Sequence, residues 1–302
     1  MSTETAENNF ESLQEKFGRF RILIIGPANS GKTTILRGIC DSTENPEIYD
    51  GKGNKVDSSQ VEGSMGRGLH NVEDELIFRS NDKLIFHDSR GFEAGSKAEF
   101  LQMKNFVADR AKTVILRKRI HAILYCIPMD KHHRAIQRSE EMFFDECDPG
   151  NVPVIVLFTK FDALLPVALG KLAPTDRRLP LQERLSKAEP LIEEIFSKAD
   201  VEGRLSRLKY PPRSFVRIGG MHKSNKGCSK VLAATADALN EKALQRLLIS
   251  AQKVNLELCV RFAVRELIYC TNQVHKSLLP ITNMDKVGIQ ELALWFPHVQ
   301  VS

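Results

Sequence analysis

Residues 21–36 read RILIIGPANSGKTTIL, and this stretch is the strongest indication of how the chain folds. Its first part is a run of aliphatic residues with the character of a buried strand, and a helical pattern begins near Lys32. A turn that contains Gly26 and Gly31 lies between them. A strand, a glycine turn and a helix in this order are typical of α/β proteins.

Similar strand-like runs recur along the chain, and helical patterns lie between most of them. Short buried strands that alternate with helices predict a doubly wound, mostly parallel sheet of about six strands. Only a three-residue turn separates 75–79 from 83–87, so these two are predicted to form an antiparallel hairpin. The predicted strands are 20–25, 75–79, 83–87, 121–127, 153–158 and 214–218, and the predicted helices are 31–40, 97–118, 135–146, 180–199 and 229–278.

The chain is predicted to have three parts. A flexible polar N-terminus (1–14) precedes a main domain (15–228), which carries a charged helical insert at about 163–212. A C-terminal helical extension (229–302) follows. Its helical pattern is apolar on much of its circumference, which favours burial against its own domain; self-association and contact with a membrane surface are the alternatives. The long polar stretch 41–71 is predicted to be a functional loop.

Composition excludes several classes of protein. The formal net charge is +5, and the charges are interspersed, without the basic block of a nucleic-acid footprint. The first residues are polar and acidic rather than a signal or transit peptide, and no uncharged apolar run is long enough to span a bilayer. The six cysteines contain no C-x-x-C pair, which favours buried thiols in a reducing compartment. A cytoplasmic protein is expected.

The sequence GPANSGKT at 26–33 matches the phosphate-binding pattern G-x-x-x-x-G-K-[ST]. The glycines let backbone N–H groups turn inward around phosphates, Lys32 supplies charge to the β- and γ-phosphates, and the Thr33 hydroxyl is a ligand for Mg²⁺. The N-terminus of the helix adds a partial positive charge. The predicted phosphate contacts are Gly26, Pro27, Ala28, Asn29, Ser30, Gly31, Lys32, Thr33 and Thr34.

The sequence FHDSRGF contains D-x-x-G at the end of a predicted strand. At that position Asp88 is expected to hold Mg²⁺ through water, and the N–H of Gly91 to bond the γ-phosphate. Without the preceding strand the pattern would be an ordinary surface turn.

The sequence VIVLFTKFD ends another predicted strand with T-K-x-D. The Asp162 carboxylate can accept two hydrogen bonds from guanine N1–H and its 2-amino group, whereas adenine leaves the site unpaired. The stem of Lys160 would lie along the base. A strand-end turn with a charged rim is the alternative interpretation.

The three motifs occur in order, each at the carboxyl end of a predicted strand, where open α/β sheets bind ligands. The set resembles the translation-factor (TRAFAC) class of phosphate-loop GTPases, and is most similar to the septin-like, AIG1-like and ribosome-assembly branches. HDSRGFEAGS and NVPVIVLFTKFDAL resemble, more narrowly, a group of largely uncharacterised fungal G domain-containing proteins. The resemblance spans about half the chain, residues 20–165, and implies that the main domain is a phosphate-loop NTPase G domain.

The resemblance also implies roles for residues outside the motifs' invariant positions. The family usually has Asn where Thr159 stands, and the Thr hydroxyl could tether the phosphate loop instead. The base-capping loop corresponds to RIGGMHK, where the N–H groups of Gly220 or Met221 would contact the guanine oxygen. The first switch normally supplies a threonine to Mg²⁺; the corresponding stretch has none, and Ser64 is its nearest hydroxyl.

Catalysis is expected to depart from the Ras scheme. Ras-like proteins place a water-positioning Gln after the D-x-x-G glycine, but this chain has Phe92. Besides Lys32, the catalytic candidates are His70 and Asn29. In cation-dependent members of the class an Asn at the position of Asn29 helps to bind K⁺ beside the phosphates; turn geometry is the alternative reason for this Asn.

The expected function is therefore that of a GTPase that binds GTP and GDP with Mg²⁺. Hydrolysis is expected to be slow alone and stimulated by a protein effector, by homodimer formation or by K⁺. One alternative is a GTP-binding scaffold without hydrolysis that assembles through its C-terminal helices. The other is an ATP-dependent phosphate-loop enzyme.

Overall fold

A seven-stranded sheet is the central element of the structure. The structure is a computed structural model, and it describes residues 15–56, 71–89, 97–134, 136–221, 226–251, 258–265 and 268. The strands are β1 (Phe20–Ile25), β2 (Glu47–Tyr49), β3 (Glu75–Phe78), β4 (Asn81–Asp88), β5 (Ala122–Pro128), β6 (Val154–Thr159) and β7 (Ser214–Arg217). Their order in the sheet is β2-β3-β4-β1-β5-β6-β7. Each neighbouring pair in the order β4-β1-β5-β6-β7 is parallel. At one edge of the sheet, β3 pairs with both β2 and β4 in antiparallel orientation.

Helices pack on both faces of the sheet. They are α1 (Lys32–Ile39), α2 (Lys97–Lys112), α3 (Arg138–Glu146), α4 (Leu164–Lys171), α5 (Leu181–Ala199), α6 (Val201–Ser206), α7 (Lys226–Ala238) and α8 (Lys242–Ser250). Successive side chains of a strand point to opposite faces. Ile22 and Ile24 of β1 therefore lie in the core under α1, α7 and α8, and Leu23 lies in the core under α2 to α6. The mostly parallel α/β architecture is confirmed, and it is compatible with a doubly wound fold.

The predicted hairpin is confirmed, because β3 and β4 pair in antiparallel orientation. The sheet was expected to have about six strands and has seven; the strand that was not predicted is β2. β2 lies inside the stretch 41–71, which was expected to be loop, and it pairs with β3 while Ile48 is buried. The N–H of Val56 also donates to the carbonyl of Ile48, so the chain folds back on this edge strand. Residues 57–70 of the same stretch lie outside the described residues.

Two predicted helices end earlier than expected. The helix expected over 97–118 ends at Lys112, and a separate 3₁₀ turn, Leu116–Lys118, follows it. The helical pattern expected to run from 229 to 278 is broken between α7 and α8. The side-chain amide of Gln245 donates to the carbonyls of Ala236 and Leu239, which satisfies backbone groups at the end of α7.

The predicted domain boundary at 228 falls inside α7, which contacts α1 and β7. Arg261 and Arg265 both form ion pairs with Asp237 of α7, so residues 258–265 are fixed to this helix. The division into three parts stays a prediction, and residues 1–14 lie outside the described residues.

The described cysteines are free and buried, as predicted: Cys40, Cys126, Cys147, Cys228 and Cys259. Within the described ranges, no helix is both long enough and apolar enough to cross a membrane.

Candidate functional site

The sheet brings the three sequence motifs to one edge. Gly26 follows β1, Asp88 ends β4, and Thr159 ends β6; these strands all run in the same direction. Ile24 and Asp88 are direct neighbours in the ladder, and the N–H of Ser89 donates to the carbonyl of Ile24 at 3.0 Å. β1 lies between β4 and β5; the connection that leaves β1 runs to β2 at one side of the sheet, whereas the connection that leaves β5 runs to β6 on the other side. Open α/β sheets bind ligands at such a point.

The glycine loop, residues 26–33, has a backbone that ordinary side chains rarely adopt. Gly26, Asn29 and Gly31 have φ angles of +153°, +59° and +90°. A Cβ on Gly26 would lie 2.7 Å from the carbonyl oxygen of Cys126 and 2.8 Å from the Ser30 hydroxyl. Glycine is therefore required at position 26, and the conformation at Asn29 is one that asparagine tolerates better than most residues.

Lys32 curls back over the glycine loop. Its ammonium group donates to the carbonyls of Gly26 at 2.9 Å and Pro27 at 3.1 Å. Lys32 also begins α1, and its neighbours Thr33 and Thr34 are exposed in the first turn of that helix. The loop thus holds one positive charge close to a helix N-terminus, an arrangement that favours an anion.

Asp88 lies half-buried beside this charge. Desolvation raises the pKa of its carboxyl to about 6, and the positive charge of Lys32 opposes that shift. Its Oδ1 atom is buried and accepts no hydrogen bond from any described residue. A cation with bound water would supply both the donors and the charge that this carboxylate needs.

The donor set at this position fits Mg²⁺. Asp88 offers a carboxylate and Thr33 an exposed hydroxyl, both of which are oxygen ligands of the kind that Mg²⁺ prefers. The described part of the chain contains no group of three or more His, Cys, Asp or Glu side chains that could hold a metal. The other ligands that Mg²⁺ usually takes in nucleotide sites are phosphate oxygens and water.

Three buried hydroxyls around the glycine loop also lack partners among the described residues: those of Ser30, Ser89 and Thr159. A Cβ on Gly31 would lie 4.0 Å from the Cβ of Thr159, so Thr159 stands beside the loop, as predicted. The expected tether is not made in this structure, because the Thr159 hydroxyl bonds no described residue. Buried polar groups without partners are uncommon in native proteins, and here four of them, with Asp88, lie at one edge.

The T-K-x-D turn packs directly against the loop after β7. Lys160 has a left-handed backbone with φ +51°, and the N–H of Phe161 donates to the carbonyl of Ile218 at 2.9 Å. The N–H of Gly220 donates to Oδ1 of Asp162 at 3.1 Å. The rest of the exposed Asp162 carboxylate is open to a ligand. Strained positions of the Lys160 kind are concentrated at functional sites.

The side chain of Lys160, the second residue of this turn, has an ion-pair partner. Its ammonium group forms an ion pair with Asp130 at 2.7 Å, in the 3₁₀ segment Met129–Arg134 that follows β5. The T-K-x-D turn is thereby connected to the end of the neighbouring strand.

Arg217 fixes the turn from the other side. Its guanidinium group lies 4.3 Å from the ring centroid of Phe196 and 5.2 Å from that of Phe161. The same group donates to both carboxylate oxygens of Glu193 at 2.7 and 2.8 Å. Phe161 is adjacent to Asp162, so these contacts connect helix α5 of the insert to the candidate base-binding residue.

Two of the remaining predicted residues, Gly220 and Met221, are among those that the structure describes. Gly220 has a left-handed backbone with φ +64° and open space around it, whereas Met221 is half-buried and packs on the core under α7. Ser64, His70 and Gly91 lie outside the described residues.

Sequence reasoning missed four residues that shape the site: Ser89, Cys126, Arg217 and Gly219. Gly219 is the most important of them, because a Cβ there would lie 2.9 Å from the backbone nitrogen of Asp162 and 3.1 Å from its Oδ1. The Gly-Gly pair in RIGG was the available signal. The other three are recognisable only from their neighbours in space.

No protein-family model matches this sequence, and no curated protein matches it significantly. The residues of the site themselves therefore carry the functional inference.

Proposed function

We propose that this protein is a phosphate-loop GTPase of the G-domain type, which binds GTP and GDP with Mg²⁺. The observation that carries the proposal is the convergence of the glycine loop, Asp88 and Asp162 at one sheet edge. Around them, buried polar atoms of Ser30, Asp88 and Thr159 lack described partners. A nucleotide with a hydrated cation is a ligand that such a set of groups would suit.

The phosphate part of the ligand is assigned to the glycine loop. Loop N–H groups would surround the β-phosphate, and Lys32 would exchange its bonds to the Gly26 and Pro27 carbonyls for phosphate oxygens. Thr33 and Asp88 would hold Mg²⁺, Asp88 through water. When bound, Mg²⁺ neutralises charge on the β- and γ-phosphate oxygens.

The base is assigned to Asp162. Its carboxylate would accept hydrogen bonds from guanine N1–H and the 2-amino group, while the Gly220 N–H keeps Oδ1 in place. Adenine has no 2-amino group and presents an acceptor at N1. An unpaired carboxylate is costly, so guanine is favoured over adenine by a large factor.

Hydrolysis would proceed by in-line attack of water on the γ-phosphorus, with Lys32 and the loop N–H groups stabilising the developing charge. Phe92 cannot orient water, so we expect slow turnover unless a partner, self-association or K⁺ completes the site. The scaffold alternative is favoured by the same Phe92. Single-turnover hydrolysis over a range of protein concentrations separates the two, since a scaffold releases no phosphate at any concentration.

The test of the proposal is a nucleotide-binding panel with the native chain and Asp162→Asn. An amide can donate to the 2-oxo group of xanthine, so the variant is expected to lose affinity for GTP and gain affinity for xanthosine triphosphate. Asp82→Asn is the matched control, because Asp82 is exposed near the amino end of β4, whereas the candidate site lies at the carboxyl ends of the strands. An unchanged preference in Asp162→Asn would show that Asp162 does not recognise the base.

A further inference from the structure

A second concave region lies away from the glycine loop. It is a cavity of about 380 Å³ between the 3₁₀ segment Met129–Arg134 and the helices α4, α5 and α6. Ile136, Ile195 and Val201 contribute apolar surface to it. Its volume falls within the range of about 300–1,000 Å³ that is typical of small-molecule pockets.

Among the described residues that line this cavity, the polar side chains are all basic. They are His132, His133, Lys171, Lys198 and Arg204. Two of the cations already have partners, since Lys198 pairs with Glu194, and Arg204 pairs with Glu141 at 2.6 Å. Lys171 and the two imidazoles make no hydrogen bond or ion pair with any described residue.

The basic groups of the lining lie close enough to act on one another. The pKa of His132 is lowered by desolvation, then by the positive charges of His133 and Lys171. An anion that binds between Lys171 and the two imidazoles would compensate the positive charge of Lys171 and favour the protonated form of His132.

We propose that this cavity is a binding site for a small multivalent oxyanion, a phosphate ester or polycarboxylate of metabolite size. Lys171 supplies positive charge, and His132 and His133 supply hydrogen bonds, without breaking an existing pair. The apolar surface of Ile195 and Val201 accommodates the carbon part of an organic anion. The concave shape and limited volume of the cavity favour a small molecule over a nucleic-acid or membrane surface.

The proposal is independent of GTP binding, because none of the residues that line the cavity belongs to the candidate nucleotide site. The glycine loop could itself attract phosphate. The location of binding is therefore established by variants of the cavity, whose loss of affinity a loop-bound anion would not reproduce.

The test is calorimetric titration of inorganic pyrophosphate, and separately of citrate, into the full chain without divalent metal. We expect saturable binding of at least one probe, weakened about tenfold or more in Lys171→Gln and in His132→Gln/His133→Gln. Lys118→Gln is the matched control, because Lys118 is exposed in the 3₁₀ turn before β5 and should bind as the native chain does. Circular dichroism melting verifies that each variant is folded.

The choice of probe identifies the anion. Tighter pyrophosphate binding indicates a phosphate ester, and tighter citrate binding indicates a polycarboxylate. Absence of heat with both probes, or affinities that Lys171→Gln and the histidine variant leave unchanged, would overturn the proposal.

Discussion

Gly219 lies against Asp162 so closely that a methyl group on Gly219 would stand 2.9 Å from the backbone nitrogen of Asp162 and 3.1 Å from its Oδ1. Side chains essentially never approach backbone atoms at the first of these distances. Since Gly220 donates to the same Oδ1, the two glycines together determine where the carboxylate stands. The candidate base-binding site is therefore built by two loops and not by the T-K-x-D turn alone.

Replacing Gly219 is expected to displace the Asp162 carboxylate without changing its chemical nature. Gly219→Ala should weaken GDP and GTP binding about tenfold or more, because hydrogen bonds to a charged group are lost or distorted. Fluorescence titration with a labelled guanine nucleotide measures the effect. Gly170→Ala is the control, since a Cβ at Gly170 in α4 meets nothing within 4 Å. Equal affinities for the two variants would contradict this role for Gly219.

The Asp88 carboxylate is expected to lower the stability of the nucleotide-free protein and to be needed for cation binding. Because burial raises its pKa from 3.8 to about 6, the ionised carboxylate opposes folding at neutral pH. We therefore expect Asp88→Asn to raise the free energy of unfolding of the nucleotide-free protein at pH 7.5 by about 1–3 kcal/mol. The same variant should lose the Mg²⁺ dependence of nucleotide binding. A less stable variant, or one that keeps its Mg²⁺ dependence, would exclude this assignment.

Two buried histidines predict loss of stability in mild acid. Burial, with Arg21 nearby, lowers the pKa of both His87 and His121 to about 3 from 6.5. The unfolded chain therefore takes up protons that the folded chain does not, and the free energy of unfolding falls as the pH drops below 6.5. Each imidazole contributes up to about 1.4 kcal/mol per pH unit.

Urea unfolding at pH 7.5, 6.5 and 5.5 measures this loss. Asp88 acts in the opposite direction below pH 6, but one carboxyl offsets only part of the effect of two imidazoles. His121→Asn should flatten the pH dependence, because it removes one of the two imidazoles. Its amide oxygen can still accept from the backbone N–H of Arg21, which bonds Nδ1 of His121 at 3.0 Å.

The backbone at Asn29 allows a clean test of the K⁺ hypothesis. Its φ of +59° suits glycine, so Asn29→Gly removes the side chain without straining the loop. If Asn29 helps to hold K⁺, hydrolysis is faster in K⁺ than in Na⁺ for the native chain, and the difference disappears in Asn29→Gly. Equal phosphate release by the native chain in the two salts would leave turn geometry as the reason for this residue.

Much of the fold could be predicted because the central strands are long apolar runs, such as Phe20–Ile25 and Val154–Thr159. Edge strand β2 could not, because its three residues are held by pairing with β3 and have no periodicity of their own. The break after α7 escaped prediction for a similar reason. Its carbonyls are satisfied by Gln245, whose position depends on the way α8 folds back.

The candidate site shows the same limit. Lys32, Asp88 and Asp162 belong to motifs with fixed spacing, so the sequence identifies them directly. Gly219 and Arg217 act on Asp162 and Phe161 across more than 50 positions of sequence, through a close approach and a ring contact. Apart from the Gly-Gly pair that contains Gly219, nothing in their own neighbourhood in sequence indicates those contacts.

Isothermal titration of the purified full chain with GTP, GDP and ATP in magnesium buffer tests the central claim most directly. Saturable binding of both guanine nucleotides is expected, with ATP weaker by about a hundredfold or more, because adenine leaves the Asp162 carboxylate unpaired. Absence of heat with both GTP and GDP, or ATP binding as tight as GTP, would contradict the account.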